Sequence, residues 1–280
     1  MSETKSELPR IAASSYLNSV PLIWSFQRGT KRQDVQLITD AAPAVCADML
    51  ARGEVEAALV PVIEYQRVPE LVIVPGVCVG SRAGVRSVVL VLREGLDDLM
   101  EVRRVALDSS SRTSVALVQI IFREFLGFEP EWTIVAPDVA AMLAASDAAL
   151  VIGDPSMTFP RNNVVVYDLA QLWREHTGLG FVFAMWMARA GDTGQISMVD
   201  FVGARDEGLQ HAEAIAEHYE NVVGFSRYEI QSYLRENINY ELDDEMLEGL
   251  DLFYRLAHKH GLIPEVQPLR FVAAYAQRKG

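Results

Sequence analysis

The chain has 280 residues, half of them hydrophobic and 22% charged, enough to bury a large core in one domain or two lobes. Its 25 basic residues against 38 acidic ones leave a net charge of −13, which argues against a broad nucleic-acid-binding face. A local cluster of donors for a small anion remains compatible with that balance.

The opening MSETKSELPR is polar and does not read as a secretory signal. No stretch approaches the roughly 18 uninterrupted apolar residues of a membrane span. Cys46 and Cys78 suggest neither a disulfide framework nor a metal knuckle, so a reduced, cytoplasmic protein is expected.

In chain order, Ile11 to Ala13 reads as a first strand and Ser14 to Ser19 as a polar turn, with a helix starting near Pro21. Strands are expected at Val35 to Ile38 and Glu56 to Val60, with a helix from Pro43 to Ala51 between them and Gly53 as its stop. A glycine-punctuated segment, Gly76 to Gly84, leads into Ser87 to Leu92, whose continuous apolar run suits a strand buried on both faces. Arg104 to Leu107 is then a strand, and Arg112 to Leu126 a helix with one apolar face. Further strands fall at Trp132 to Val135, Ala148 to Ile152, Val164 to Tyr167 and Phe181 to Ala188. Helices are expected at Asp138 to Ala145 and from Asp168 to Arg174. The remainder reads as helical, over about Met198–Tyr219, Arg227–Glu236 and Asp243–His260. This α/β pattern implies two lobes: a discontinuous first lobe of residues 1–93 and 189–280, and an inserted second lobe of residues 94–188. A cleft between such lobes is a natural ligand site.

Four polar turns are placed to meet there: Ser14–Ser19, Gly80–Ser87, Asp108–Ser114 and Gly153–Ser156. The third sits where a strand hands over to a helix, whose free N–H groups suit a carboxylate or phosphate. Ser109 or Ser111 capping that helix is the plainer alternative, just as Asn18 closing a local turn and Ser87 merely opening a strand are plainer readings of those residues. His211 and His218 lie seven apart on a helix without further ligands, so solvated surface is favoured over a metal site. His176 is a minor loop candidate, and His258 and His260 sit at a helix end. No GxSxG elbow, GxGxxG, P-loop or Ser-His-Asp order is present.

SYLNSVPL (Ser15 to Leu22), the Ser87-Val88-Val89-Leu90 strand after its glycine-rich loop, LDSSSRTS (Leu107 to Ser114), IGDPS (Ile152 to Ser156) and TGLGFVFAMW (Thr177 to Trp186) occur together and in order. In this combination the chain resembles the chorismate dehydratase family of the futalosine route to menaquinone, over nearly its whole length. The opening motif of the related 1,4-dihydroxy-6-naphthoate synthases is absent, with Ser15-Tyr16-Leu17-Asn18 in its place. Gly180 departs from the proline that relatives often carry there.

The resemblance implies a two-lobed type II periplasmic-binding-protein-like fold with a ligand cleft between the lobes. It also implies loss of water from chorismate to give 3-[(1-carboxyvinyl)oxy]benzoate, with the functional asparagine and serine falling on Asn18 and Ser87. Chorismate is then the small-molecule substrate, and no metal, cofactor, nucleic acid or membrane is expected. Ser15, Tyr16, Ser111, Arg112, Thr113, Ser114, Gly153 and Asp154 complete the expected substrate contacts. A non-catalytic binding protein for a small carboxylate and the naphthoate synthase are the competing readings.

Overall fold

The computed structural model describes residues 8–40 and 42–273. The first seven residues of the polar leader and residues 274–280 of the first lobe lie outside them. Among the described residues ten strands form two five-stranded sheets. The first sheet contains β1 (Arg10–Ser14), β2 (Gln36–Asp40), β3 (Ala57–Pro61), β4 (Leu71–Ser81) and β10 (Phe181–Arg189) in the order β2-β1-β3-β10-β4. The second contains β5 (Val88–Leu92), β6 (Arg104–Asp108), β7 (Glu131–Val135), β8 (Ala148–Ile152) and β9 (Val166–Asp168) in the order β7-β6-β8-β5-β9. In each sheet three strands run parallel, and the fourth, β10 or β5, runs antiparallel to both neighbours.

This pairing corrects the expected lobe limits. Residues 88–92 pair with β8 and β9 in the second sheet, and residues 181–189 pair with β3 and β4 in the first. The chain therefore crosses between lobes within residues 82–87 and again just before Phe181, upstream of the expected limits at 93 and 188. Both strands are almost wholly buried, so their sequence carries no alternation to say which sheet receives them. The second crossing is tight: a Cβ on Gly180 would stand 2.5 Å from Met246 Sδ. A side chain there requires the Met246 side chain to turn aside.

The helices begin and end for local reasons. α1 (Val20–Arg28) takes Pro21 in its first turn, and α2 (Pro43–Arg52) opens on proline and stops at Gly53. In the second lobe, α3 (Thr113–Ile120) runs on into a wider π-type turn through Leu126, so the expected helix from Arg112 changes pitch halfway. α4 (Val139–Ala145) is capped by Asp138, a short α5 (Gly153–Thr158) follows β8, and Asp168 caps α6 (Leu169–Thr177). A single turn, α7 (Thr193–Ile196), precedes α8 (Phe201–Gln210) and α9 (Ala212–Val223), which break at His211 where one helix was expected. α10 (Arg227–Ser232) begins in a capping box between Ser226 and Glu229, and α11 (Asp244–Lys259) is capped by Asp243.

One apolar core spans both lobes, with Trp173, Trp186, Phe181 and Phe253 among its largest buried side chains. Cys46 and Cys78 are buried and form no disulfide. Among the described residues no helix is long and apolar enough to cross a membrane.

Candidate functional site

A cavity enclosing about 530 Å³, open mouth included, lies between the two sheets. That falls within the size range of small-molecule sites. Its floor is apolar, formed by Leu59, Pro61, Val79, Val88, Ile152 and Phe183. Its polar lining comes from two turns, one from each lobe.

The first-lobe turn follows β1. Leu17, Asn18 and Ser19 form a single 3-10 turn that runs directly into α1. The Ser19 hydroxyl donates to Asn18 Oδ1 at 3.1 Å, so the Ser14 hydroxyl, 3.3 Å from Ser19 Oγ, must donate to Ser19. This chain fixes the carboxamide with its oxygen turned inward and its NH₂ group free to meet a ligand. Asn18 thus has a defined orientation rather than the local turn-closing role that sequence left open.

The second-lobe turn follows β6, and Asp108 organises it. Asp108 Oδ1 accepts the Ser110 N–H at 2.8 Å and the Ser110 hydroxyl at 2.6 Å, while Oδ2 accepts the Ile152 N–H at 3.2 Å. Burial raises this carboxyl above its usual range, and the three donors oppose that shift. The helix that follows has Arg112 at its N-cap and no side chain capping it. Neither Ser109 nor Ser111 takes the capping role. Ser110, Ser111, Arg112, Thr113 and Ser114 all line the cavity, so the start of α3 faces the ligand space with its N–H groups and partial positive charge.

Four hydrogen bonds and one ring contact tie the lobes together around this space. Arg112 donates to Glu64 at 2.8 Å and to Asp48 at 2.6 Å, both in the first lobe. Burial works against the guanidinium charge, but these two acids hold its pKa above the ordinary value. Thr113 Oγ1 accepts the Ile63 N–H at 3.3 Å. On the opposite side Asp154 Oδ1 accepts the Leu17 N–H at 3.0 Å. Next to it the Tyr16 ring lies directly over Gly153, where a Cβ would stand 2.6 Å from the ring; Gly153 also has φ +65°. Only glycine satisfies both demands.

The structure brings together Tyr16, Asn18, Ser111, Arg112, Thr113, Ser114 and Gly153 on the cavity wall. Three expected residues stand outside the lining. Ser15 is half-buried beside it. Asp154 spends its carboxylate on Leu17 rather than on the ligand space, and shielding from water pushes its pKa up to about 6. Ser87 is fully buried one residue beneath Val88, with its hydroxyl on Val85 O at a long 3.5 Å and its carbonyl accepting the Gly153 N–H at 2.8 Å. The nearby Tyr233 phenol is raised by burial, with the Ser87 hydroxyl opposing the shift. Ser14, Ser19 and Ser110 join the lining without having been singled out, although the serine-rich turns pointed to them. Asp48 and Glu64 carried no sequence signal at all.

The histidines lie elsewhere. His211 stacks on Trp24, His218 meets Arg28, His176 stacks on Phe125 and His260 pairs with Glu124. Among the described residues no group of three or more His, Cys, Asp or Glu side chains is arranged to hold a metal ion.

A family model described as menaquinone biosynthesis matches residues 9–259. A chorismate dehydratase of Thermus thermophilus is 31% identical over 235 residues, covering 77% of this chain and 84% of the relative. Among solved structures, a protein from Archaeoglobus fulgidus superposes with a TM-score of 0.72 at 18% identity, over 92% of this chain and all of the other. The periplasmic aliphatic sulphonate binding protein of Escherichia coli gives 0.66 at 17% identity, over 96% and 95% of the two chains. These likenesses establish the two-lobed periplasmic-binding-protein-like fold. Family model and relative together place the chain in the menaquinone-biosynthesis family, among the chorismate dehydratases.

Proposed function

We propose that this protein removes water from chorismate to give 3-[(1-carboxyvinyl)oxy]benzoate. The observation that carries the reading is the make-up of the cavity wall: a free carboxamide, hydroxyls and an uncapped helix start, with no carboxylate and no histidine among the lining residues. Such a wall binds and orients an anion but offers no strong base. Chorismate suits it, because losing the ring hydroxyl and an adjacent ring proton completes a benzene ring. Aromatisation supplies much of the driving force.

In this reading a substrate carboxylate rests on the start of α3, and the Asn18 NH₂ group holds the enolpyruvyl carboxylate or the departing hydroxyl in register. The enolpyruvyl carboxylate takes the ring proton, the C–H electrons form the last ring double bond, and the C–O bond breaks as the hydroxyl takes that same proton back from the carboxyl group and leaves as water. Ser87 joins through rotation about its Cα–Cβ bond, giving up a long 3.5 Å hydrogen bond to Val85 O and its contact with the Tyr233 phenol. Arg112, committed to Asp48 and Glu64, contributes positive potential and lobe contact rather than a free clamp. Orientation of this kind contributes on the order of 7 kcal/mol or more in favourable cases.

Incubating the purified protein with chorismate and weighing the product tests the proposal. A product lighter by one water is expected. Chorismate bound but unchanged would mean a binding protein, and chorismate ignored would favour the naphthoate synthase.

A further inference from the structure

The hydrogen bond between Asp154 and Leu17 has a geometry that the reaction itself does not call for. Asp154 belongs to α5 of the second lobe, 137 residues from its partner, and it touches neither the cavity nor any basic side chain that pairs with it. Its acceptor atom is spent on one backbone N–H in the 3-10 turn that carries Asn18. The neighbouring Gly153 admits the Tyr16 ring at a distance no other residue tolerates, so the same turn is seated on α5 at two adjacent points. Leu17 is fully buried in the first-lobe core, which makes its N–H a rigid handle on the residue that follows.

We propose that Asp154 is a positioning residue for Asn18, accepting the Leu17 N–H only when the lobes meet and so making lobe closure and the placement of the Asn18 carboxamide one event. The functional consequence rests on the dehydratase reading above; the coupling itself does not.

The surroundings of Asp154 determine how its charge enters. Tyr219 on α9 and Tyr233 in the segment after α10 feel its charge, and both phenols are themselves raised by burial and stay neutral through the relevant range. Arg28 acts on Tyr219. Shielding from water is the larger influence on Asp154, opposed by the Leu17 N–H, and it brings the carboxyl to about 6. The closed arrangement therefore holds a carboxylate that water would solvate better. The hydrogen bond places the turn, and the shielded charge keeps closure reversible.

The test uses the full-length protein without any substrate. The Leu17 amide resonance, followed by ¹⁵N-edited NMR, should titrate with a midpoint of about 6 in the native protein and lose that titration in Asp154→Asn. The asparagine variant keeps an acceptor oxygen, so its turnover of chorismate at neutral pH should stay within about threefold of native, with a lower KM. Asp154→Ala loses the acceptor, and its kcat should fall about tenfold or more, in keeping with the sensitivity of oriented groups to small misplacements. A Leu17 amide indifferent to pH, or asparagine and alanine variants with equal kcat losses, would overturn the coupling. Should the alanine variant fail to fold, the amide titration in the native and asparagine proteins decides alone. A titrating Leu17 amide in a protein that leaves chorismate intact would reject the dehydratase reading and leave the coupling standing.

Discussion

The turns after β1 and β6 occupy matching places, each following the second strand of its sheet order and each leading to a helix that starts at the cavity. They are built in opposite ways. The Asp108–Ser110 part of the second-lobe turn is assembled from within its own lobe, since Asp108 binds Ser110 twice and reaches across to Ile152, while Arg112 and Thr113 at its end meet the first lobe. The first-lobe turn has its own 3-10 backbone bonds and a short hydroxyl chain, but its Leu17 N–H is satisfied from the other lobe by Asp154. One half of the site is preformed and suits capture of a substrate carboxylate. The other half, which carries Asn18, reaches its final geometry when the lobes meet.

Substitutions that touch one turn and not the other put this contrast under strain. The largest loss is expected for Asn18→Ala, about a hundredfold in kcat with little change in KM, because it deletes an oriented donor that acts on the reacting groups. Steady-state kinetics with chorismate measures the split. Ser87→Ala should follow, with a kcat loss of about tenfold or more and near-normal thermal stability, since Ser87 Oγ holds only a long hydrogen bond to Val85 O and a weak contact with the Tyr233 phenol. Asp108→Ala should damage the preformed half instead. It leaves three donors unpaired in a buried setting, so unfolding in denaturant should show a loss of about 3 kcal/mol. Arg112→Met leaves the buried Glu64 with only its contact to Arg67, and should raise KM about fivefold through a weaker lobe contact while sparing kcat.

The last effect is a pH dependence. Asp154 moves from an ordinary 3.8 to about 6 when shielded, so below both values the two states hold the same proton and no penalty applies. As pH rises between them the solvated, open form ionises first and closure weakens, with the full loss reached above about 6. Affinity for an unreactive dicarboxylate analogue, measured by calorimetry, should fall across that window and level off. Its ceiling is about a hundredfold, reduced by whatever solvent still reaches the carboxyl. The Asp154→Asn protein should show no such fall.

Much of this was legible in the sequence, and what was hidden has a common cause. Pro21, Pro43, Gly53, Asp138 and Asp168 mark helix ends by local chemistry, and they appear where expected. The polar turns at 14–19 and 108–114 are likewise local features, and they do converge. The lobe of each crossing strand was not legible, because β5 and β10 are apolar on both faces and pairing partners leave no local trace. Nor were the roles of Arg112 and Asp154. Both looked like groups for the substrate, yet both are committed to residues of the opposite lobe, 48 and 64 positions away for Arg112 and 137 for Asp154. The long hydrogen bond that leaves Ser87 beneath the wall is equally a product of packing.

The most direct test combines substrate and site in one assay: native protein and Asn18→Ala incubated with chorismate, sampled over time by mass spectrometry. The native protein should make an aromatic product lighter by one water, and the variant should bind chorismate but convert it about a hundredfold more slowly. Equal conversion by both proteins would contradict the role given to the first-lobe turn, and chorismate left intact by the native protein would contradict the function itself.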